Sequence, residues 1–280
     1  MTVRFLQRSP PRIGQGVPGV RVVRHSPGEH RVTDEEWWAA AVRVSDNAVD
    51  LGDDLVMRRA ARPERDVRIA AHEISEIDLN TVLRVIGVDV AYCDDQEVAV
   101  AAAVAWDRKD RGVVLSDRLR GRPSVPYRFG HLGAREAGMA AEVVRGLVRD
   151  GDVVMCDGHG LMHPERMGLG VHVAALLARP VVAVAKNPLH RESPKTPAER
   201  GSVRRISDSM GVVGAEVRTA DSVRPVYVSV GGGISLDSAI ELVLESSRYR
   251  IPEPVRFADQ ECRKGLREVL GEPLPNCTNA

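Results

Sequence analysis

An α/β fold is predicted by the sequence: a mixed sheet flanked by helices, behind a long N-terminal extension. Three observations predict it. From residue 83 onward, short apolar runs separated by polar turns dominate the chain. These runs first follow one another directly and then alternate with segments of helical spacing. Residues 1 to about 32, by contrast, are punctuated by Pro, Gly and Arg too often for long elements.

Within the extension, Thr33 is a candidate N-cap for "TDEEWWAAAVRV", and "ARPERDVRIAAHEIS" reads as a second, charged helix. Then the rhythm changes. "LRVIGVDVAYC", "EVAVAAAVAWD" and "GVVLSDRLRG" are three strands with short polar connections, which predicts an antiparallel meander. "GAREAGMAAEVVRGLVRD" has helical spacing, with Met139, Val143, Val144 and Leu147 on one face. There follow a strand in "DVVMCDG", a helix in "GVHVAALLA", a strand in "PVVAVAK", a strand in "RPVYVSVGG" and a helix in "SLDSAIELVLESS". This is the element order of a ribonuclease H-like fold. The reading divides the chain into an extension (1–80), a catalytic domain (81–265) and a C-terminal tail (266–280).

The 280 residues carry 39 basic and 39 acidic side chains. A formal net charge of zero forces no nucleic-acid partner, although it leaves room for a local basic groove. Cys93, Cys156, Cys262 and Cys277 show no CxxC pairing and no zinc-ligand rhythm, which favours free thiols in a reducing cytoplasm. No apolar run approaches transmembrane length, and no signal-peptide stretch opens the chain.

Three acids stand out against this pattern. Asp89 interrupts the apolar strand "VIGVDVAY", where a carboxylate needs a partner or a cation. Asp157 ends the strand "VVMCD", and Glu136 lies early in the helix after the meander. If the first and fourth strands are neighbours, Asp89 and Asp157 stand side by side with Glu136 above them. Such a cluster repels itself unless a divalent cation sits within it, and hard oxygen donors favour Mg²⁺ or Mn²⁺. The plain alternative is that the aspartates cap turns. Asp237, in "SLDSA", is either a fourth acid or a solvated first-turn acid that suits the helix dipole. His159 and His163 fit phosphate contact or a loop role better than zinc, for want of a third ligand nearby. Lys186 closes "VVAVAK", where it either stabilises a phosphate or snorkels to solvent.

Taken together, "GVDVAY", "PYRFGHLGARE", "DGHGLMHPERMG", "VAVAK", "SLDSA" and "YRIPEPVRFAD" resemble, in order, the motifs of the endonuclease V family, the deoxyinosine-directed repair nucleases. The likeness runs from about Val85 to Asp259. It implies a metal-dependent hydrolase that cuts one nucleotide 3′ to the altered base, leaving 3′-hydroxyl and 5′-phosphate ends. By the resemblance, the metal-binding carboxylates are Asp89, Glu136 and Asp157, with Mg²⁺ as cofactor and Mn²⁺ as substitute, and the catalytic lysine is Lys186. The same resemblance puts the strand-separating wedge at Pro126 and Tyr127. It implies a base pocket lined by Gly130, Leu132 and Gly158, with His163 next to it. Arg128 and Arg135 are expected to contact the backbone around the groove. The partner is DNA or single-stranded RNA, with no membrane, and the protein is expected to be a monomer.

Three departures bear on the expectation. The wedge usually reads Pro-Tyr-Ile-Pro, whereas here it is Pro126-Tyr127-Arg128-Phe129. Ala183 stands where a glycine is usual, and its methyl is expected to narrow the pocket. Gly231-Gly232-Gly233 replaces Gly-His-Arg, which by the resemblance removes a histidine near the metal. The competing reading is a nucleic-acid binding protein on the same fold with weak or altered cleavage.

Overall fold

A computed structural model of the chain describes residues 76–122, 132–189 and 196–271. The two helices expected before residue 76 lie outside these ranges.

The meander forms as the sequence predicts: β1 (Arg84–Cys93), β2 (Val98–Asp107) and β3 (Gly112–Gly121) pair antiparallel. Helix α1 (Leu132–Arg145) leads to β4 (Val153–Asp157), α2 (Leu169–Leu177) and β5 (Val181–Ala185). A hairpin, β6 (Val203–Asp208) and β7 (Gly211–Val217), precedes β8 (Val226–Gly232), α3 (Leu236–Glu245) and α4 (Glu253–Leu270). The eight strands make one sheet in the order β3-β2-β1-β4-β5-β8-β7-β6. β4 lies parallel to both β1 and β5, so the first and fourth strands are neighbours.

Side-chain alternation assigns the two faces of the sheet. Ile86, Val88 and Val154 pack under Ala137, Ala140 and Val144 of α1 and Val173 of α2. Val85, Met155, Val182 and Val228 pack on the other face, under Leu242 and Val243 of α3 and Val255 of α4. Farther along α4, Cys262 and Leu266 cover Ala91, Val100 and Ala102. Every residue of β1 is buried, as a central strand covered on both faces requires.

Ser235 caps α3 as a helix start should, its hydroxyl accepting from the Ser238 amide at 3.1 Å. Two ionic ties hold the periphery, the first buried at both partners and the second at its arginine only. Arg84 at the start of β1 binds both oxygens of Asp152 at 2.5 and 3.1 Å. Arg118 of β3 reaches Glu261 and Glu268 of α4 at 3.0 and 2.9 Å.

Two elements depart from the sequence reading. The β6–β7 hairpin was not anticipated, because β6 is arginine-rich and largely exposed, with no apolar face to betray it. Helix α4 runs unbroken across the 265/266 boundary where the tail was placed, and it buries Leu266. At the other end, Ile77 and Leu79 already pack on the core, so the folded part begins before residue 81.

Candidate active site

The parallel register of β1 and β4 pairs Val88 with Cys156. Asp89 and Asp157 are the next residues on each strand, and they carry their carboxylates side by side. Both lie on the face covered by α4, the face opposite Val88 and Cys156. Asp89 is buried, with Oδ1 accepting from the Val90 amide at 2.9 Å and Oδ2 lying 3.8 Å from the Cys262 Sγ of α4. Burial, followed by the charge of Asp157, raises the Asp89 carboxyl well above the ordinary range; Lys186 opposes the shift and Asp259 adds to it. Asp157 is raised in the same direction, by burial first, against the pull of Lys186.

Glu136 is buried in the second turn of α1 and approaches from the other face of the sheet. Its carboxyl is pushed well up by burial, then by Asp89 and Asp157. All three expected acids therefore share one electrostatic environment, and the buried Cys156 thiol between them feels each one.

A fourth acid joins them. Asp259 of α4 raises both Asp89 and Asp157, and its Oδ1 accepts from Arg263 Nε at 2.9 Å. In the sequence Asp259 looks like any helix acid; only the packing of α4 over β1 carries it to the site. Among the described residues, no three His, Cys, Asp or Glu side chains stand as a closed ligand set, and Asp157 is engaged by the Lys186 ammonium. The donors nevertheless fit a hard divalent cation. They are all carboxylate oxygens, and their ionisation is held back by burial and mutual repulsion that a cation relieves. Burial pulls the pKa of Lys186 down, but Asp157, Asp89 and Asp259 outweigh it and hold the ammonium above its usual value.

Two of the expected pocket residues, Gly158 and Leu132, lie next to each other. A methyl added to Gly158 would come within 3.3 Å of Leu169 Cβ and 3.7 Å of Leu132 Cδ2. Gly158 therefore keeps open a space walled by Leu132 and Leu169, the second of which the sequence reading missed. The Gly158 amide is spent on the Val184 carbonyl at 3.1 Å and so does not donate into this space. The loop is bolted down from below, with the Gly160 amide donating to Ser229 Oγ at 2.8 Å and the Leu161 amide to the Val230 oxygen at 2.9 Å. His163 accepts the Glu165 amide on Nδ1 at 3.2 Å. His159 Nε2 lies 3.1 Å from the Asn187 carbonyl, which is the loop role. His172, also missed, packs on Gly133 and is driven down to about 4 by burial and by His163. Arg166 grips Asp208 at 2.5 and 2.7 Å and so fastens the β6–β7 hairpin to this loop.

Arg135 and the glycine triplet depart from expectation, and Asp237 takes the second of its two readings. Arg135 does not face a groove: it is buried, its guanidinium lies 4.0 Å from the Tyr92 ring centroid, and it pairs with Asp94. Asp237 is exposed and pairs with Arg205, as a solvated first-turn acid does. The glycine triplet is not near the acids. Gly232 pairs with Val181 at the start of β5, whereas Asp157 pairs with Val184 near its end. The strands thus place Gly232 toward the opposite end of the sheet. The triplet serves packing instead, since a side chain on Gly231 would strike the Gly170 carbonyl at 2.2 Å. The extra methyl of Ala183 is fully buried, directed at Gly170 of α2. Pro126, Tyr127, Arg128 and Gly130 lie outside the described residues.

Comparison with known proteins agrees with this geometry. The family model described as Endonuclease V matches residues 67–260. An endonuclease V from Streptomyces coelicolor is 42% identical over 189 residues, covering 66% of this chain and 80% of the relative. The crystal structure of Streptomyces avermitilis endonuclease V superposes with a TM-score of 0.69 at 35% identity, over 79% of this chain and 96% of that one. Human endonuclease V gives 0.68 at 28% identity, over 76% and 99%. With paired strand aspartates, a lysine upon one of them and this extent of likeness, the chain belongs to the endonuclease V family.

Proposed function

We propose that the protein is a metal-dependent endonuclease of DNA repair that hydrolyses a phosphodiester 3′ to deoxyinosine, or to inosine in RNA. The observation that carries the reading is the pair of buried aspartates on adjacent parallel strands, with Lys186 on one of them, beside the space between Gly158, Leu132 and Leu169. Asp89 and Asp157 are the residues to hold Mg²⁺, with Mn²⁺ as substitute, and Glu136 completes the set or orients water. When bound, the cation supplies an acidified water and offsets charge on the phosphate. Lys186 stays protonated at neutral pH and offers its ammonium to a phosphate oxygen. Pro126 and Tyr127 are the wedge, and Gly130, Leu132, Gly158 and His163 the base pocket. Hypoxanthine pairs poorly, so its extrusion from a stack costs less than that of a matched base. The reading places the protein in the cytoplasm as a monomer, with an N-terminal extension ahead of the folded part; no helix among the described residues is long and apolar enough to cross a membrane. The binder alternative rests on the glycine triplet and the altered wedge; the triplet lies away from the acids, and the wedge lies outside the described residues.

The test uses matched oligonucleotides with and without a single inosine, as DNA and as RNA, single- and double-stranded, in Mg²⁺ and in Mn²⁺. Cleavage on the 3′ side of inosine, leaving a 3′-hydroxyl, is expected. No product above background with either cation sinks the assignment.

A further inference from the structure

Beside Lys186 the surface carries cations that its acids do not match. Arg250 forms the base of this region. Its guanidinium donates to the backbone oxygens of Lys186, of Arg224 at 2.9 Å and of Pro225 at 3.2 Å, and so ties the loop after β5 to the entrance of β8. The Arg224 side chain is exposed, and its charge bears on Arg250, so two like charges are held close together. Among the described residues, no carboxylate lies within ion-pair distance of Arg224. Arg248 is also exposed, and the Glu253 carboxylate is 4.0 Å away at the limit of pairing.

Between these arginines and α4 stands Tyr249, 56% exposed. Its ring is backed rather than loose. The Arg256 guanidinium lies 5.3 Å from the Tyr249 centroid and 4.4 Å from that of Phe257, so the cation is shared between two rings. Arg256 also pairs with Glu253 at 3.6 Å, so one carboxylate serves both Arg248 and Arg256. A supported, half-exposed aromatic beside more cations than acids has the chemistry that binds unpaired nucleotides. Phosphates meet arginine, and a base of any sequence stacks on the ring. A duplex would offer the phosphates but no free base face.

We propose that Arg224, Arg248 and Tyr249 form a docking shelf for a single-stranded nucleic-acid flank beside the cleaved phosphodiester. Arg224 and Arg248 hold phosphates, Tyr249 stacks one base, and Arg250 and Arg256 support the shelf from behind. The proposal rests on the nuclease reading only for the identity of the site that the shelf adjoins.

The experiment measures binding of a labelled, inosine-free single-stranded oligonucleotide to the full chain in EDTA, by fluorescence anisotropy. Tyr249→Ala is expected to weaken binding about tenfold or more, the size of one lost base–aromatic stack, while Tyr249→Trp retains it. Arg224→Ala is expected to reduce the slope of log K against log salt by about 0.7, one phosphate contact on a single strand. Thermal unfolding of each variant separates a lost contact from a lost fold. Wild-type affinity in folded Tyr249→Ala overturns the proposal, as does a preference for duplex that Tyr249→Ala leaves unchanged. Cleavage of the inosine substrate by the wild type is scored in parallel. Weakened binding in Tyr249→Ala with no cleavage by any form leaves the shelf standing and removes the nuclease. Cleavage by the wild type with unchanged Kd and KM in Tyr249→Ala removes the shelf alone.

Discussion

Gly87→Ala is the substitution that most directly tests how the site is assembled. Gly87 lies two residues before Asp89 on β1 and so faces the same side of the sheet. Helix α4 crosses it there. A Cβ on Gly87 would stand 2.1 Å from the Pro254 oxygen, 2.3 Å from its carbonyl carbon and 2.8 Å from its Cα. All three are backbone atoms, and no rotamer change relieves them. Ordinary contact begins at 3.4 Å, so the start of α4 must retreat by more than 1 Å. The same helix carries Asp259 and Cys262 to Asp89. Overpacking of this kind costs about 1–3 kcal/mol, which for a domain of this size lowers Tm by roughly 2–4 °C per kcal/mol. A misplacement of about 1 Å at a reacting centre can cost on the order of 10²-fold in rate. Thermal unfolding and single-turnover cleavage read the two effects. Gly112→Ala is the control, because its Cβ meets nothing nearer than 3.8 Å. If Gly87→Ala matches wild type in both Tm and rate, α4 does not bear on β1 as described and the route by which Asp259 reaches the site is wrong.

Three more expectations follow from the same geometry. Asp89→Asn or Asp157→Asn should lower cleavage by more than about 10²-fold without lowering the metal-free Tm, since each removes a repelling buried charge; a marked metal-free Tm loss would make these residues structural instead. Because the Asp89, Glu136 and Asp157 carboxyls are raised, the folded protein holds protons that the unfolded chain releases near pH 4, so their contribution to stability is complete below about pH 4 and is lost as the pH rises through the folded values. The Tm gain on adding Mg²⁺ should therefore be larger near pH 8 than near pH 5, and a gain flat with pH counts against the acids as its ligands. Asp152→Ala leaves Arg84 charged and buried, and should cost about 3–5 kcal/mol in urea unfolding while Asp150→Ala, whose partner Arg179 is on the surface, costs under about 1 kcal/mol; equal losses would deny the buried tie its role.

Six of the eight strands and the first three helices were legible because their signals are local. Alternation and helical spacing report burial within a few residues, and a carboxylate such as Asp89 inside an apolar strand announces a cost that something must offset. The period of α4 was equally present in Val255, Ala258, Cys262 and Leu266, but it was read only as a family signature. Strand β6 had no such signal; the β6–β7 hairpin is held by the pairing of β7 with β8 and by the Arg166 grip on Asp208.

The sequence by itself determined the fold class and singled out Asp89 within its strand, Asp157 at the end of another, Glu136 and Lys186 as candidates, since each stands out against its immediate neighbours in the chain. Only the tertiary structure decided which end of the sheet each residue occupies. It sent Gly232 away from the acids, turned Arg135 inward onto Tyr92 and brought Asp259 to them from a helix 170 positions beyond Asp89. Strand direction, register and helix crossing are set by contacts between distant segments, and a one-dimensional pattern carries no record of which way a neighbouring strand runs.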